Sequence, residues 1–213
     1  MKKILGLAIA ALIIMATVGF GTWAYFSDTE TSSSNQITAG TLDLDLNGGD
    51  TNQNILTGLT NKAPGDSGAL YATILNSGSI AGEFEVQTGA VTNTESTGST
   101  EYEQDVIGGA GVGELGAVAE IAPWIDLNED DTFDAGSDIA LKSDGTVVTT
   151  ALQWDTVNNF ASKEWTAAIA SMASAAQERF QISWRIPTSA DSTIQGDSFT
   201  LGFTFILEQA AAD

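Results

Sequence analysis

Ser198-Phe199-Thr200-Leu201-Gly202-Phe203-Thr204-Phe205-Ile206-Leu207 alternates apolar and polar residues almost to its end. Successive strand residues point to opposite sides, so Phe199, Leu201, Phe203, Phe205 and Leu207 share one face. Such a face needs a core to cover it. The same period recurs upstream, where Leu42, Leu44 and Leu46 alternate with Thr41, Asp43 and Asp45. Leu70 to Leu75, Glu83 to Gln87, Ile121 to Leu127, Thr146 to Thr150 and Phe180 to Ile186 also read as strands. Turn signals such as Pro64-Gly65-Asp66 and Asn76-Ser77-Gly78 separate them. Many short strands divided by turns predict a mainly β chain, an antiparallel β-sandwich of jelly-roll type.

One stretch breaks this period. Between Ser162 and Phe180 the apolar residues Trp165, Ile169, Met172, Ala176 and Phe180 recur at helical spacing. The segment is rich in alanine, Ser162 stands where an N-cap belongs, and Glu164 would lie in the first turn. The pattern predicts one amphipathic helix on the side of the sandwich. Its polar face carries no basic cluster, which argues against a membrane-surface role.

Composition narrows the chemistry. The 213 residues contain 28 acids and 7 bases, a net charge of −21, with no histidine and no cysteine. So acidic a surface repels nucleic acid and anionic membranes and suits saline surroundings or neutralisation by divalent cations. Without cysteine no disulfide braces the fold. Without histidine there is no Ser-His-Asp triad, no HExxH zinc site and no histidine general base.

At the start, Lys2-Lys3 precedes an apolar run from Ile4 to Phe20, about 17 residues long. No basic stop-transfer cluster follows it, so it reads as a secretory signal rather than a retained anchor. The mature chain would then keep 5 bases against 28 acids, a net charge of −23. Residues 25–37 are polar and rich in serine and threonine, and read as an exposed N-terminal arm. The sandwich domain is expected over residues 38–213, with an insertion around 90–180.

The junction is distinctive. Gly19-Phe20-Gly21-Thr22-Trp23-Ala24-Tyr25-Phe26-Ser27-Asp28 resembles the signal-peptide junction of the TasA/camelysin family. Thr38-Ala39-Gly40-Thr41-Leu42-Asp43-Leu44 is similar to that family's first strand. Ala63-Pro64-Gly65-Asp66-Ser67 and Leu75-Asn76-Ser77-Gly78-Ser79 are similar to two of its turns. Gln195-Gly196-Asp197-Ser198-Phe199-Thr200-Leu201-Gly202-Phe203-Thr204-Phe205 is similar to its last strand. The resemblance implies cleavage between Ala24 and Tyr25 by a dedicated signal peptidase, and contact with a membrane only during export. It also implies a secreted or cell-surface subunit that polymerises head to tail with identical copies by donor-strand complementation. The donor would be the arm, with Tyr25 and Phe26 at its tip and Ile37 at its base. Extracellular fibres or pili in a biofilm matrix, or cell–cell contact, would be the outcome, with no enzymatic role.

The alternative that the resemblance carries is a camelysin-type cell-surface metallo-endopeptidase. The lack of histidine argues against it, since catalytic zinc normally takes histidine ligands beside an activating glutamate. A calcium-dependent adhesive or carbohydrate-binding module is a third reading.

The best local motif is Asp126-Leu127-Asn128-Glu129-Asp130-Asp131-Thr132-Phe133-Asp134-Ala135-Gly136-Ser137-Asp138. Oxygen-bearing side chains at alternate positions wrap a hard cation such as calcium. Asp126, Asn128, Asp130 and Asp134 occupy loop positions 1, 3, 5 and 9 of an EF-hand-like loop, and the Thr132 carbonyl fits position 7. Position 6 is Asp131 where glycine is expected, and the closing acid, Asp138, comes one residue late. The bland reading is an acidic surface turn.

Gly111-Val112-Gly113-Glu114-Leu115-Gly116 formally matches a dinucleotide fingerprint, but the βαβ context is missing and it reads as a loop. Trp124, Trp154, Trp165 and Trp184 are scattered over different elements, and core packing is the default for them.

Overall fold

The computed structural model describes residues 41–47, 62–94, 113–194 and 196–209. All of them belong to one compact unit, Gly40–Asp213. The signal run, the Ala24-Tyr25 junction and the arm with Tyr25, Phe26 and Ile37 lie outside the described residues.

The chain is mainly β. Its strands are β1 (Leu44–Leu46), β2 (Ser67–Asn76), β3 (Gly82–Thr88), β4 (Thr92–Thr94), β5 (Glu120–Asp126) and β6 (Ile139–Leu141). They continue with β7 (Val147–Val148), β8 (Asp155–Thr156), β9 (Glu164–Met172), β10 (Gln177–Arg185), β11 (Ser198–Thr200) and β12 (Phe203–Glu208). One sheet runs β1-β2-β10-β5-β6-β7, with β8 also beside β5. The other runs β12-β3-β9, and β11 and β4 form a separate two-stranded pair. All these pairings are antiparallel. Residues 90–180, read as an insertion, supply β4 to β9 and the start of β10, so both sheets draw on them.

The inner faces form the core. Phe84 and Val86 of β3, Ile121 and Ile125 of β5, and Phe180 and Ile182 of β10 are fully buried. The Phe205 ring sits 5.9 Å from Phe84 and 4.9 Å from Phe180, stitching the two sheets together. Burying a side chain of this size stabilises by about 1.5–3 kcal/mol. Trp165 and Trp184 lie in the same core, as the default for tryptophan expects. Trp124 is also buried, but on the opposite face of its sheet, where Phe133 covers it edge-on at 5.6 Å.

Two turns fix the start and end of β2. Gly65 takes φ 94, and the Asp66 carboxylate accepts the Ala63 N–H at 2.9 Å to close the turn. At the other end Asn76 is fully buried. Its amide donates to the carbonyls of Ile80 and Met172 at 2.9 and 3.0 Å, and its oxygen accepts the Gly78 N–H at 3.1 Å. Gly78 lies so close to the chain entering β1 that a Cβ there would stand 2.3 Å from the Thr41 carbonyl oxygen.

The expected helix over Ser162 to Phe180 does not form; β9, a turn and β10 stand in its place. The reason is bulging. Val86 faces Trp165, Phe84 faces Ile169 and Gly82 faces Met172, so two-residue steps on β3 match steps of four and three on β9. Extra residues inserted in a strand bend it and move the inward positions apart. Trp165, Ile169 and Met172 thereby acquire a helical spacing within a strand. Ser162, placed as an N-cap, sits at φ 53, which an N-cap does not adopt.

Two smaller differences follow. The last strand is interrupted at Leu201-Gly202, between β11 and β12. The glycine-rich loop reading gives way, from Leu115 to Val118, to one turn of helix, α1. The Asp197 carboxylate accepts the Glu114 and Leu115 N–H groups at its start, at 2.6 and 3.3 Å.

Candidate functional site

The acidic loop leaves the end of β5 and folds back over the outer face of its sheet. Asp126, its first residue, is fully buried. Oδ2 of Asp126 accepts the Asp131 N–H at 2.9 Å and the Gln181 amide at 2.9 Å. Oδ1, also buried, has no hydrogen-bond partner. Asn128, Asp130 and Asp134 are exposed, and the Asn128 amide reaches both carboxylates, at 3.2 Å to Asp130 and 3.0 Å to Asp134. Thr132 donates its N–H to Asp130 at 2.8 Å.

Asp138 is bonded to the loop's backbone. It is fully buried, and its two oxygens accept the N–H groups of Leu127 at 3.0 Å and Asp134 at 2.7 Å. It clasps the two limbs of the loop. Asp131, at the position where glycine is expected, takes φ 65, a left-handed conformation that aspartate tolerates better than most residues. The glycine requirement at position 6 is therefore met by backbone shape. Asp131 also forms an ion pair with Arg179.

The loop thus brings Asn128, Asp130 and Asp134 together, while Asp126 is tied to the loop backbone at Asp131 and to Gln181. Among the described residues, no three acidic side chains already stand close enough together to hold a metal ion. Sequence reasoning missed Gln181 and Glu178. Both sit on β10, where nothing in the strand alternation marks a polar residue as the neighbour of a distant loop. Burial, then the charges of Glu129, Asp126 and Asp138, push the Glu178 carboxyl up to about 7.

A second feature lies along one side of the sandwich. On the β9 and β6 side the core is sealed: Leu141, Phe160 and Trp165 are fully buried, and the Trp165 indole donates to the Lys142 carbonyl at 2.8 Å. The opposite side, between β12 and the β1-β2 edge, is not. There Leu44, Leu46, Leu70, Phe203, Phe205 and Leu207 face the core yet remain only half-buried. Among the described residues, β12 has no strand on its outer side.

The family model described as camelysin metallo-endopeptidase matches residues 1–107, half of the chain. The chain belongs to the camelysin family. Membership marks it as a cell-surface or secreted protein of that family. The matched part contains β1 to β4, with the Asp66 turn and the buried Asn76. No curated protein matches the chain. Among the described residues no helix is long and apolar enough to cross a membrane.

The family's description implies a catalytic metal, and the donor set of this camelysin-family chain does not fit one of the peptidase kind. Peptidase zinc is held by histidine with a carboxylate, and beside it a glutamate activates water. The whole chain has no histidine and no cysteine. The acidic loop offers oxygen donors alone, which suit a harder cation.

Proposed function

We propose that this protein is a structural subunit that polymerises into extracellular fibres, each sandwich receiving the N-terminal arm of a neighbour as an added strand. The observation that carries this reading is the asymmetry of the sandwich. One side is sealed by fully buried side chains, while the other leaves six core-facing apolar residues half-buried beside the outer edge of β12, which pairs with no strand among the described residues. A free edge offers unpaired N–H and C=O groups, and an extended segment added there gains backbone hydrogen bonds and apolar burial together.

The arm has suitable dimensions. Twelve extended residues from Tyr25 reach roughly 40 Å, about twice the length of a six-residue strand such as β12. Removal of residues 1–24 by a dedicated signal peptidase would free it at Tyr25. The contact is head to tail and does not close on itself, so it grows a filament. Repulsion between subunits of net charge −23 opposes growth, and salt relieves it. The absence of peptidase-type zinc donors favours this reading over the endopeptidase one.

The test compares a chain starting at Tyr25 with one starting at Ile37, by electron microscopy of each at matched concentration and salt. The longer chain forms fibres. The shorter one folds, because its strands begin after Thr41, and stays monomeric. Normal fibres from the shorter chain would overturn the proposal.

A further inference from the structure

The fibre reading makes no use of the loop from Asp126 to Asp138. We infer that this loop is a calcium site whose buried anchor is Asp126, and that Asp138 is its clasp and not a ligand.

The argument starts from an unpartnered atom. Asp126 is fully buried, yet its Oδ1 has no hydrogen-bond partner. A buried carboxylate oxygen is costly to leave alone. The other oxygen of the same carboxylate accepts the Asp131 N–H from within the loop and the Gln181 amide from β10, so the carboxylate lies against the loop's backbone. Oε2 of Glu178 is likewise buried and unpartnered, and its carboxyl feels the charges of Asp126, Asp138 and Glu129. The negative charge of the loop is thus felt by a carboxyl on the neighbouring strand.

The exposed half of the loop supplies the remaining donors. Asp130 and Asp134 both converge on the Asn128 amide group, at 3.2 and 3.0 Å. That NH2 stands where a cation would bring the two carboxylates together. Turning the amide over exchanges its nitrogen for its oxygen without changing its shape. Asn128 then becomes a third oxygen donor beside Asp130 and Asp134. With Asp126 and the Thr132 carbonyl, the set is made only of oxygens, with three carboxylates, which is calcium chemistry.

Asp138 is assigned to the clasp by its bonds. Each of its oxygens accepts a backbone N–H, from Leu127 and from Asp134. They hold the loop in register whether or not an ion is bound. The ligands inferred are therefore Asp126, Asn128, Asp130, Asp134 and the Thr132 carbonyl. Water is expected to fill the rest of the shell, since the closing bidentate acid of an EF-hand is missing.

The experiment titrates calcium alone into the full, metal-stripped chain by calorimetry. Asp130→Asn and Asp134→Asn alter exposed residues and leave the fold intact. Asp191→Asn, on a surface turn elsewhere, serves as the control. One ion per chain is expected, with affinity lowered at least tenfold by either loop variant and changed less than twofold by Asp191→Asn. Asp138→Asn, if it folds, loses less affinity than Asp126→Asn. Magnesium binds at least tenfold more weakly than calcium, because it demands a tighter octahedral shell. Absence of saturable binding, or equal losses in Asp130→Asn and Asp191→Asn, would mean diffuse attraction to an acidic surface and would overturn the inference.

Discussion

Replacing Ala167 by glycine distinguishes a bulged strand from a helix by the sign of the stability change. Ala167 sits at φ 49 in β9, among the register shifts opposite β3. An L-residue in this left-handed region is crowded against the following carbonyl, at a cost of about 1–2 kcal/mol. Glycine escapes that cost but has more freedom to lose on folding, by about 0.5–1 kcal/mol. The net expectation is a gain of about 0.5–1 kcal/mol. In a helix the same change would lose about 1 kcal/mol. With a urea slope near 2 kcal/mol/M, the unfolding midpoint rises by about 0.3–0.5 M. Thr166→Gly, at an exposed neighbour without the positive φ, supplies the control and lowers the midpoint. A midpoint for Ala167→Gly that falls together with the control would refute the bulged-strand account.

Three further changes probe the scaffold. Asn76→Ala strips partners from the Met172 carbonyl and the Gly78 N–H, both in buried bonds, and lowers stability by about 2–4 kcal/mol in urea melts. Gly78→Ala forces a Cβ to within 2.3 Å of the Thr41 oxygen, so it lowers the melting temperature, and hydrogen exchange quickens first at Ser77 and Ser79, which donate to Asp43 and Thr41. The carboxyl of Glu178 is raised from 4.5 to about 7 in the fold, so between those values the folded state keeps a proton that the unfolded state has released. Stability in metal-free buffer therefore falls as pH rises through that window, and Glu178→Gln flattens the dependence in pH-resolved urea melts.

Strand alternation made much of the sandwich legible in advance, because burial on one face imposes a period of two wherever pairing is regular. Phe84 and Val86, or Phe180, Ile182 and Trp184, could be placed from that period alone. It failed where pairing is irregular. Bulges in β9 spaced Trp165, Ile169 and Met172 like a helix, and the alanine content reinforced that reading until contacts with β3 overrode it. The acidic loop was visible through its spacing, and the departure at Asp131 proved to be accommodated by a positive φ. The roles within the loop were not visible. That Asp138 binds backbone and that Asp126 has an orphaned oxygen depend on tertiary contacts, as does the approach of Gln181 from β10.

The central claim is that the arm of one copy lies along the β12 side of the next, and cross-linking between two tagged copies tests it most directly. The chain has no cysteine, so introduced thiols are unique. One population carries Ser32→Cys in the arm; the other carries Thr204→Cys, an exposed position on β12. They are mixed, assembled into fibres and treated with a short thiol-reactive linker. The account predicts a covalent dimer joining Ser32→Cys to Thr204→Cys, abundant in fibres and absent from monomers under the same treatment. Fibres that form from the mixture without that product, whichever linker length is used, would contradict it.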